Sequence, residues 1–73
     1  MVGRVIMYTL ERCPVCVKAK RVLTERGVVF EERVCDGRPD YVKDVWQASK
    51  QGTVPIILWP DGRIEVGIDG QHG

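Results

Sequence analysis

The sequence predicts a small α/β domain of order β-α-β-α-β-β. Three observations carry that reading. A short β-prone run, Arg4 to Thr9, comes first; a stretch with helical periodicity and helix punctuation follows from Pro14 to Arg26; and Pro60-Asp61-Gly62 places a turn between two apolar runs near the end. At 73 residues, 44% hydrophobic and 29% charged, the chain supports one core. A chain of this size buries only about 60% of the surface its unfolded form exposes, so a second core is excluded, and the mixed charges are those of a folded domain.

Arg4-Val5-Ile6-Met7-Tyr8-Thr9 has the length of a buried strand. From Pro14 to Arg26 the chain is amphipathic, with Cys16, Ala19 and Leu23 on one stripe, Val15 and Val22 beside it, and Lys18, Arg21 and Glu25 facing outward. Pro14 suits the first helical turn and Gly27 the stop. Val28 to Val34 predicts a second strand: Val28, Phe30 and Val34 share a face that Glu32 interrupts. Strand, helix and strand make a βαβ unit, with parallel strands and a right-handed crossover. After the turn-like Asp36-Gly37-Arg38-Pro39, a second helix is predicted from about Pro39 to Ser49, with Val42, Val45, Trp46 and Ser49 as its inner stripe, broken by Gln51-Gly52-Thr53. Val54 to Trp59 predicts a third strand begun by a proline, and Arg63 to Val66 a fourth. Gly67 to Gly73 predicts no element, and no linker, repeat or low-complexity segment divides residues 1–73.

A net charge of +1 argues against a dedicated nucleic-acid binder. The charges are nevertheless uneven: Arg4, Arg12, Lys18, Lys20, Arg21 and Arg26 stand against Glu11 and Glu25 in the first 26 residues, so the segment holding Cys13 and Cys16 is locally positive. No apolar run approaches the roughly 20 residues of a membrane span, and no long apolar segment marks a signal peptide. The expectation is a cytoplasmic monomer with no membrane or nucleic-acid partner.

Cys13-Pro14-Val15-Cys16 is the motif that carries chemistry. Three cysteines are too few for a disulfide scaffold, so a close pair points to catalysis or to metal. A thiolate is the reactive form of cysteine, and a free thiol with pKa near about 8.5 needs positive potential to ionise at neutral pH. Cys13, at a helix start, has three sources: free backbone N–H groups, the helix dipole, and Arg12 with Lys18 nearby. Cys16, one turn on and more sheltered, is placed to resolve a mixed disulfide that Cys13 forms. The metal reading requires more ligands than the pair supplies. A structural zinc site takes about four, and the chain offers only Cys35 and His72 beyond Cys13 and Cys16. A CxxC at a strand-to-helix junction of a βαβ unit favours redox chemistry.

Tyr8-Thr9, Cys13-Pro14-Val15-Cys16, Gly27-Val28-Val29-Phe30-Glu31-Glu32, Thr53-Val54-Pro55 and Gly67-Ile68-Asp69 together resemble the glutaredoxin family in order and spacing, over nearly the whole chain. The resemblance implies a thioredoxin-like fold with a four-stranded mixed sheet, its first two strands parallel and its last two antiparallel, helices on both faces, and the family's final helix short or missing. It implies a cis peptide before Pro55, near Cys13, and pairing of the Val54 backbone with glutathione or a substrate peptide. Local sterics agree, because the residue before a proline is pushed into the extended region. Thr53, Val54, Pro55, Val15, Gly67 and Asp69 are the substrate-contacting positions the resemblance indicates, Asp69 as a contact for an amino group. Leu10 stands where the family commonly has a lysine for the glutathione carboxylate, a duty Arg12 is the candidate to assume. Val15 stands where an aromatic is frequent, and Val66-Gly67 and Asp69-Gly70 replace the paired glycines and aspartates.

The other chemistry-bearing residues have plainer expectations. Cys35 is read as a small apolar residue, Trp46 as core, and Trp59 as a cap on the core or an apolar surface. Tyr8 is read as packing under the dithiol or lining a groove, and His72 as a tail residue. The functional expectation is a thiol-disulfide oxidoreductase with Cys13 as nucleophile and Cys16 resolving, no organic cofactor, and no bound metal. Recharging would come from glutathione, another small thiol, or a thioredoxin-reductase-type flavoprotein. The alternatives are an iron-sulfur or metal carrier using Cys13, and a binding module without turnover.

Overall fold

Val5–Thr9 forms β1, an interior strand buried on both faces, as its nearly unbroken apolar run requires. The computed structural model describes residues 4–50 and 52–68. The remaining elements are α1 (Pro14–Glu25), β2 (Phe30–Val34), α2 (Pro39–Ser49), β3 (Ile56–Leu58) and β4 (Ile64–Val66). The strand order is β2-β1-β3-β4, with β1 and β2 parallel and β3 antiparallel to both β1 and β4. This is the α/β order and mixed sheet predicted from the sequence.

The two faces of β1 organise two cores. Val5 and Met7, with Ile57 of β3, pack beneath Ala19 and Leu23 of α1, and Val22, Phe30 and Trp59 close the margin. Ile6 and Tyr8, with Ile56 and Leu58, pack against Tyr41, Val45 and Ala48 of α2. Met7, Leu23, Ile56 and Ile57 are essentially inaccessible, and each contributes about 1.5–3 kcal/mol by burial. β3 is interior, so Pro55 does not open an edge strand.

Helix ends follow local rules. Cys13, extended at φ −130°, caps α1, and Pro14 occupies its first turn. At the other end Gly27, at φ +75°, donates its N–H to Thr24 and Val28 donates to Leu23, the paired bonds of a Schellman stop. That stop delays β2: Val29 is 88% exposed, and the strand begins at Phe30 rather than Val28. β3 is likewise shorter than Val54 to Trp59, because Val54 and Pro55 form a bend before it.

The inner stripe of α2 differs from the sequence expectation. Val42 is 40% exposed and Trp46 54%, and only Val45 of the expected stripe is buried. The sheet-facing residues are Tyr41, Val45 and Ala48, spaced i, i+4, i+7, so the helix is rotated from the phase that hydrophobicity alone selects. Polar anchors set the rotation. The Tyr8 phenol donates to Asp44 Oδ2 at 2.9 Å and accepts from Arg33 Nη1 at 3.0 Å, and Tyr8 meets the Tyr41 ring edge-on at 5.9 Å between centroids. Arg33 lies over both rings and pairs with Glu31 at 2.7 Å. Burial, then the bond to Asp44, push the Tyr8 hydroxyl above its ordinary pKa, so it remains a donor.

On the opposite face Glu32 ties β2 to β1 and α1. Its carboxylate accepts from Thr9 Oγ1 at 2.7 Å and pairs with Lys20 Nζ at 3.0 Å. Burial alone would raise its pKa, but the Thr9 and Lys20 bonds outweigh it and hold the carboxyl below its ordinary 4.5.

Tyr8→Phe leaves Asp44 and Arg33 without their shared partner. The expected loss is about 1 kcal/mol, or roughly 4–8 °C in the thermal unfolding midpoint of a domain this size, measured by circular dichroism. A melt unchanged from the parent would contradict the anchoring role. The Glu32 contribution is present above about pH 4.5 and is lost as pH falls through its depressed folded value. Glu32→Gln is expected to be less stable than the parent at pH 7, by under about 1 kcal/mol because the pair is partly exposed, with the difference closing in acid. Urea unfolding at several pH values reads both.

Candidate active site

β1 ends at Thr9, and its axis delivers the chain into the start of α1. Two long-range bonds hold the connecting turn: the Cys35 N–H donates to the Thr9 carbonyl at 2.8 Å, and the Glu11 N–H to Asp36 Oδ1 at 3.0 Å. Cys13 and Cys16 are joined as a disulfide, with Cα atoms 5.1 Å apart. The Cys16 N–H donates to Cys13 Sγ at 3.1 Å, and the Val17 N–H to the Cys13 carbonyl. The Cys13 sulfur is therefore the side-chain cap of α1, and no acidic residue stands in the first turn to oppose negative charge there. Both cysteines are buried, Cys16 more deeply at 1% against 5%.

The segment before β3 joins the pair's buried cluster through Val54. The Val54–Pro55 peptide is cis, Thr53, Val54 and Pro55 are all buried, and Val54 belongs to the same buried cluster as Cys13 and Cys16. The segment is tied at both ends. The Thr53 N–H donates to Ser49 Oγ at 3.3 Å, whose hydroxyl donates to the Val45 carbonyl, and the Gly67 N–H donates to the Pro55 carbonyl at 2.7 Å. Gly52 precedes it at φ +67°, and a β-carbon there would sit 2.7 Å from the Trp46 indole. Glycine is required by both conformation and space.

Comparison with known proteins decides what this arrangement is. The glutaredoxin family model matches residues 5–64. The chain belongs to the glutaredoxin family. It is 36% identical over 70 residues to glutaredoxin 3 of Escherichia coli, covering 96% of this chain and 74% of that protein. It is 40% identical over 53 residues to a glutaredoxin of Pseudomonas aeruginosa, spanning 73% of this chain and 63% of the relative's length. Among solved structures, glutaredoxin grx-1 of Archaeoglobus fulgidus superposes with a TM-score of 0.81 at 28% identity, over 94% of this chain and 78% of that one. Glutaredoxins are dithiol-disulfide oxidoreductases, and the Cys13–Cys16 pair supports that chemistry here.

The glutaredoxin core brings together some of the expected site residues and not others. Val54 belongs to the dithiol's cluster, Pro55 is buried next to it in the chain, and Val15, half-buried, packs against both cores between the cysteines. Arg12 is exposed on the turn before Cys13. Gly67 has its N–H occupied by Pro55, so it braces the loop. Asp69 and His72 lie outside the described residues. Among those described, no three His, Cys, Asp or Glu side chains cluster as metal ligands do.

Sequence reasoning missed an apolar groove that shares Cys35, Val45 and Val54 with the dithiol's buried cluster. Leu10, Val42, Trp46, Gly52 and Val54 wall it, and Cys35 and Val45 floor it. The signal was the apolar excess of α2: the helix carries more large apolar residues than one sheet-facing stripe can use. Trp59 is half-buried at the margin of the other core, with Arg63 over its ring and, among the described residues, no partner for its indole nitrogen.

Cys35 is buried at 3%, and burial first, then Asp36 and Asp44, push its thiol above its ordinary pKa. Alkylation of the fully reduced protein with iodoacetamide at pH 7 is expected to modify Cys35 last, at least about tenfold more slowly than Cys13, since reactivity follows exposure and thiolate fraction. Mass spectrometry of the digests reads the order. Equal labelling would show that the thiol is neither shielded nor raised.

Proposed function

We propose that this glutaredoxin reduces disulfides through a dithiol cycle in which Cys13 attacks and Cys16 resolves. The observation that supports the order of events is the Cys16 N–H donated to Cys13 Sγ at the start of α1. The same bond and helix terminus stabilise a thiolate at Cys13 once the pair is reduced.

The Cys13 thiolate displaces one sulfur of the substrate disulfide, which leaves as a thiolate and takes a proton from solvent. Cys13 is then joined to the other substrate sulfur. Deprotonated Cys16 attacks Cys13, releases the second substrate thiol, and forms the Cys13–Cys16 disulfide. The substrate gains two electrons from the protein and two protons, one that Cys16 gives up and one from solvent. Thr53, Val54 and Pro55 present the extended backbone against which a substrate strand lies, Val15 lines the approach between the cysteines, and Arg12 supplies positive charge at the rim. Gly67 positions the Pro55 loop, and Asp69 is the candidate contact for a substrate amino group.

The substrates are protein or glutathione-type disulfides. Two electrons return from glutathione, another small thiol, or a thioredoxin-reductase-type flavoprotein, and no organic cofactor takes part. The protein works as a cytoplasmic monomer, away from membrane and nucleic acid.

Cys13→Ser is expected to reduce disulfides no faster than the uncatalysed background. Cys16→Ser is expected to accumulate a covalent adduct between Cys13 and one substrate thiol, visible by mass spectrometry. A Cys13→Ser variant as fast as the parent would overturn the cycle. Coupled assays with glutathione and glutathione reductase, against thioredoxin reductase, identify the donor.

A further inference from the structure

We infer that the groove beside the dithiol is a side-chain pocket, and that Trp46 and Leu10 make this protein prefer polypeptide disulfides carrying a large apolar residue next to the reacting cysteine. The inference rests on the disulfide-reducing cycle above and specifies its substrate.

Position comes first. Val54, whose backbone faces the incoming substrate in that cycle, is also a wall of the groove. A peptide lying along Val54 with its sulfur at Cys13 has a neighbouring side chain within reach of the groove mouth, because residues in an extended chain advance only about 3.3 Å each. Size comes second. The groove holds about 130 Å³. Sites for whole small molecules hold about 300–1,000 Å³, whereas an apolar cavity of about 150 Å³ accepts one benzene ring, so the fit is to one leucine- or phenylalanine-sized side chain.

Chemistry comes third. Among the described residues no charged side chain lines the groove. A carboxylate placed there would lose hydration and gain no counter-charge, which disfavours a glycine carboxylate or an acidic side chain. The tripeptide glutathione has no apolar side chain to fill it. Finally, two of the walls are apolar residues that α2 withholds from its own core, Val42 and Trp46, exposed at 40% and 54%, and Leu10 of the β1–α1 turn is exposed at 40%. Burying them against a substrate side chain removes apolar surface from water on both partners.

The test uses the fully reduced protein in single turnover, so no electron donor is needed. Its substrates are mixed disulfides of 2-nitro-5-thiobenzoate with glutathione and with neutral, end-blocked tripeptides in which one neighbour of cysteine is Phe, Gly or Asp. Release of the coloured thiol gives each second-order rate constant. The Phe peptides are expected to react about tenfold faster than the Gly peptides in at least one orientation, with Asp peptides and glutathione no faster than Gly. Trp46→Ala is expected to bring the Phe/Gly ratio below about two, and Trp46→Phe to restore it in part. Leu10→Lys is expected to raise the Asp/Gly ratio above one.

Variants are compared by these ratios, so a general loss from loosening near Gly52 cancels, and Val42→Asp gives a second reading of the same groove. Equal Phe and Gly rates in the parent would overturn the pocket while leaving the dithiol cycle intact. Failure of every substrate to release thiol would overturn the cycle itself.

Discussion

The Tyr8 hydroxyl, held between Asp44 and Arg33, governs how α2 lies on the sheet, and much of the molecule's working surface follows from it. A phenol in that position must be bonded on both sides or lose the hydration it gave up. Meeting the requirement turns Tyr41 and Ala48 toward the sheet and leaves Val42 and Trp46 at the groove. The same rotation puts Ser49 where its hydroxyl meets the Thr53 amide, so the loop bearing the cis Pro55 is registered to α2 and hence to β1.

The dithiol depends on a separate and more local arrangement. Cys13 lies four residues past β1 and caps the start of α1, so its surroundings are set largely by its own peptide neighbours. What is not local is the turn between. The Cys35 and Asp36 contacts to Thr9 and Glu11 fasten that turn to the end of β2, and Glu32 clamps the underlying strand to Lys20. The dithiol and the groove thus share one buried cluster, to which Cys35, Val45 and Val54 belong.

The pattern of legibility follows the range of the forces. Local signals were reliable: Pro14, Gly27 and Pro39 marked helix ends, Pro60-Asp61-Gly62 marked the hairpin, and the stripe Cys16, Ala19 and Leu23 is the face α1 buries. The CxxC was readable because its spacing alone places two sulfurs across one helical turn. The phase of α2 was not readable, since Val42 and Trp46 outscore Tyr41 and Ala48 on hydrophobicity, and the deciding partners lie 36 and 25 residues apart along the chain. Glu32 looked like an interruption of an apolar row for the same reason, its partners being Thr9 and Lys20. The amide that Gly67 commits to Pro55 was not readable either, because it is a tertiary bond.

The contact between Trp46 and Gly52 has a consequence at the level of descent. With an indole across the space where a β-carbon would project, positions 46 and 52 cannot drift independently. A lineage that acquires a side chain at 52 must first have shrunk the residue at 46, and must choose a type that tolerates a positive φ, such as asparagine. Because residue 46 is also a wall of the groove, that route would reshape the groove before it altered the loop. Selection on the side chain at 46 therefore also constrains the backbone conformation at 52.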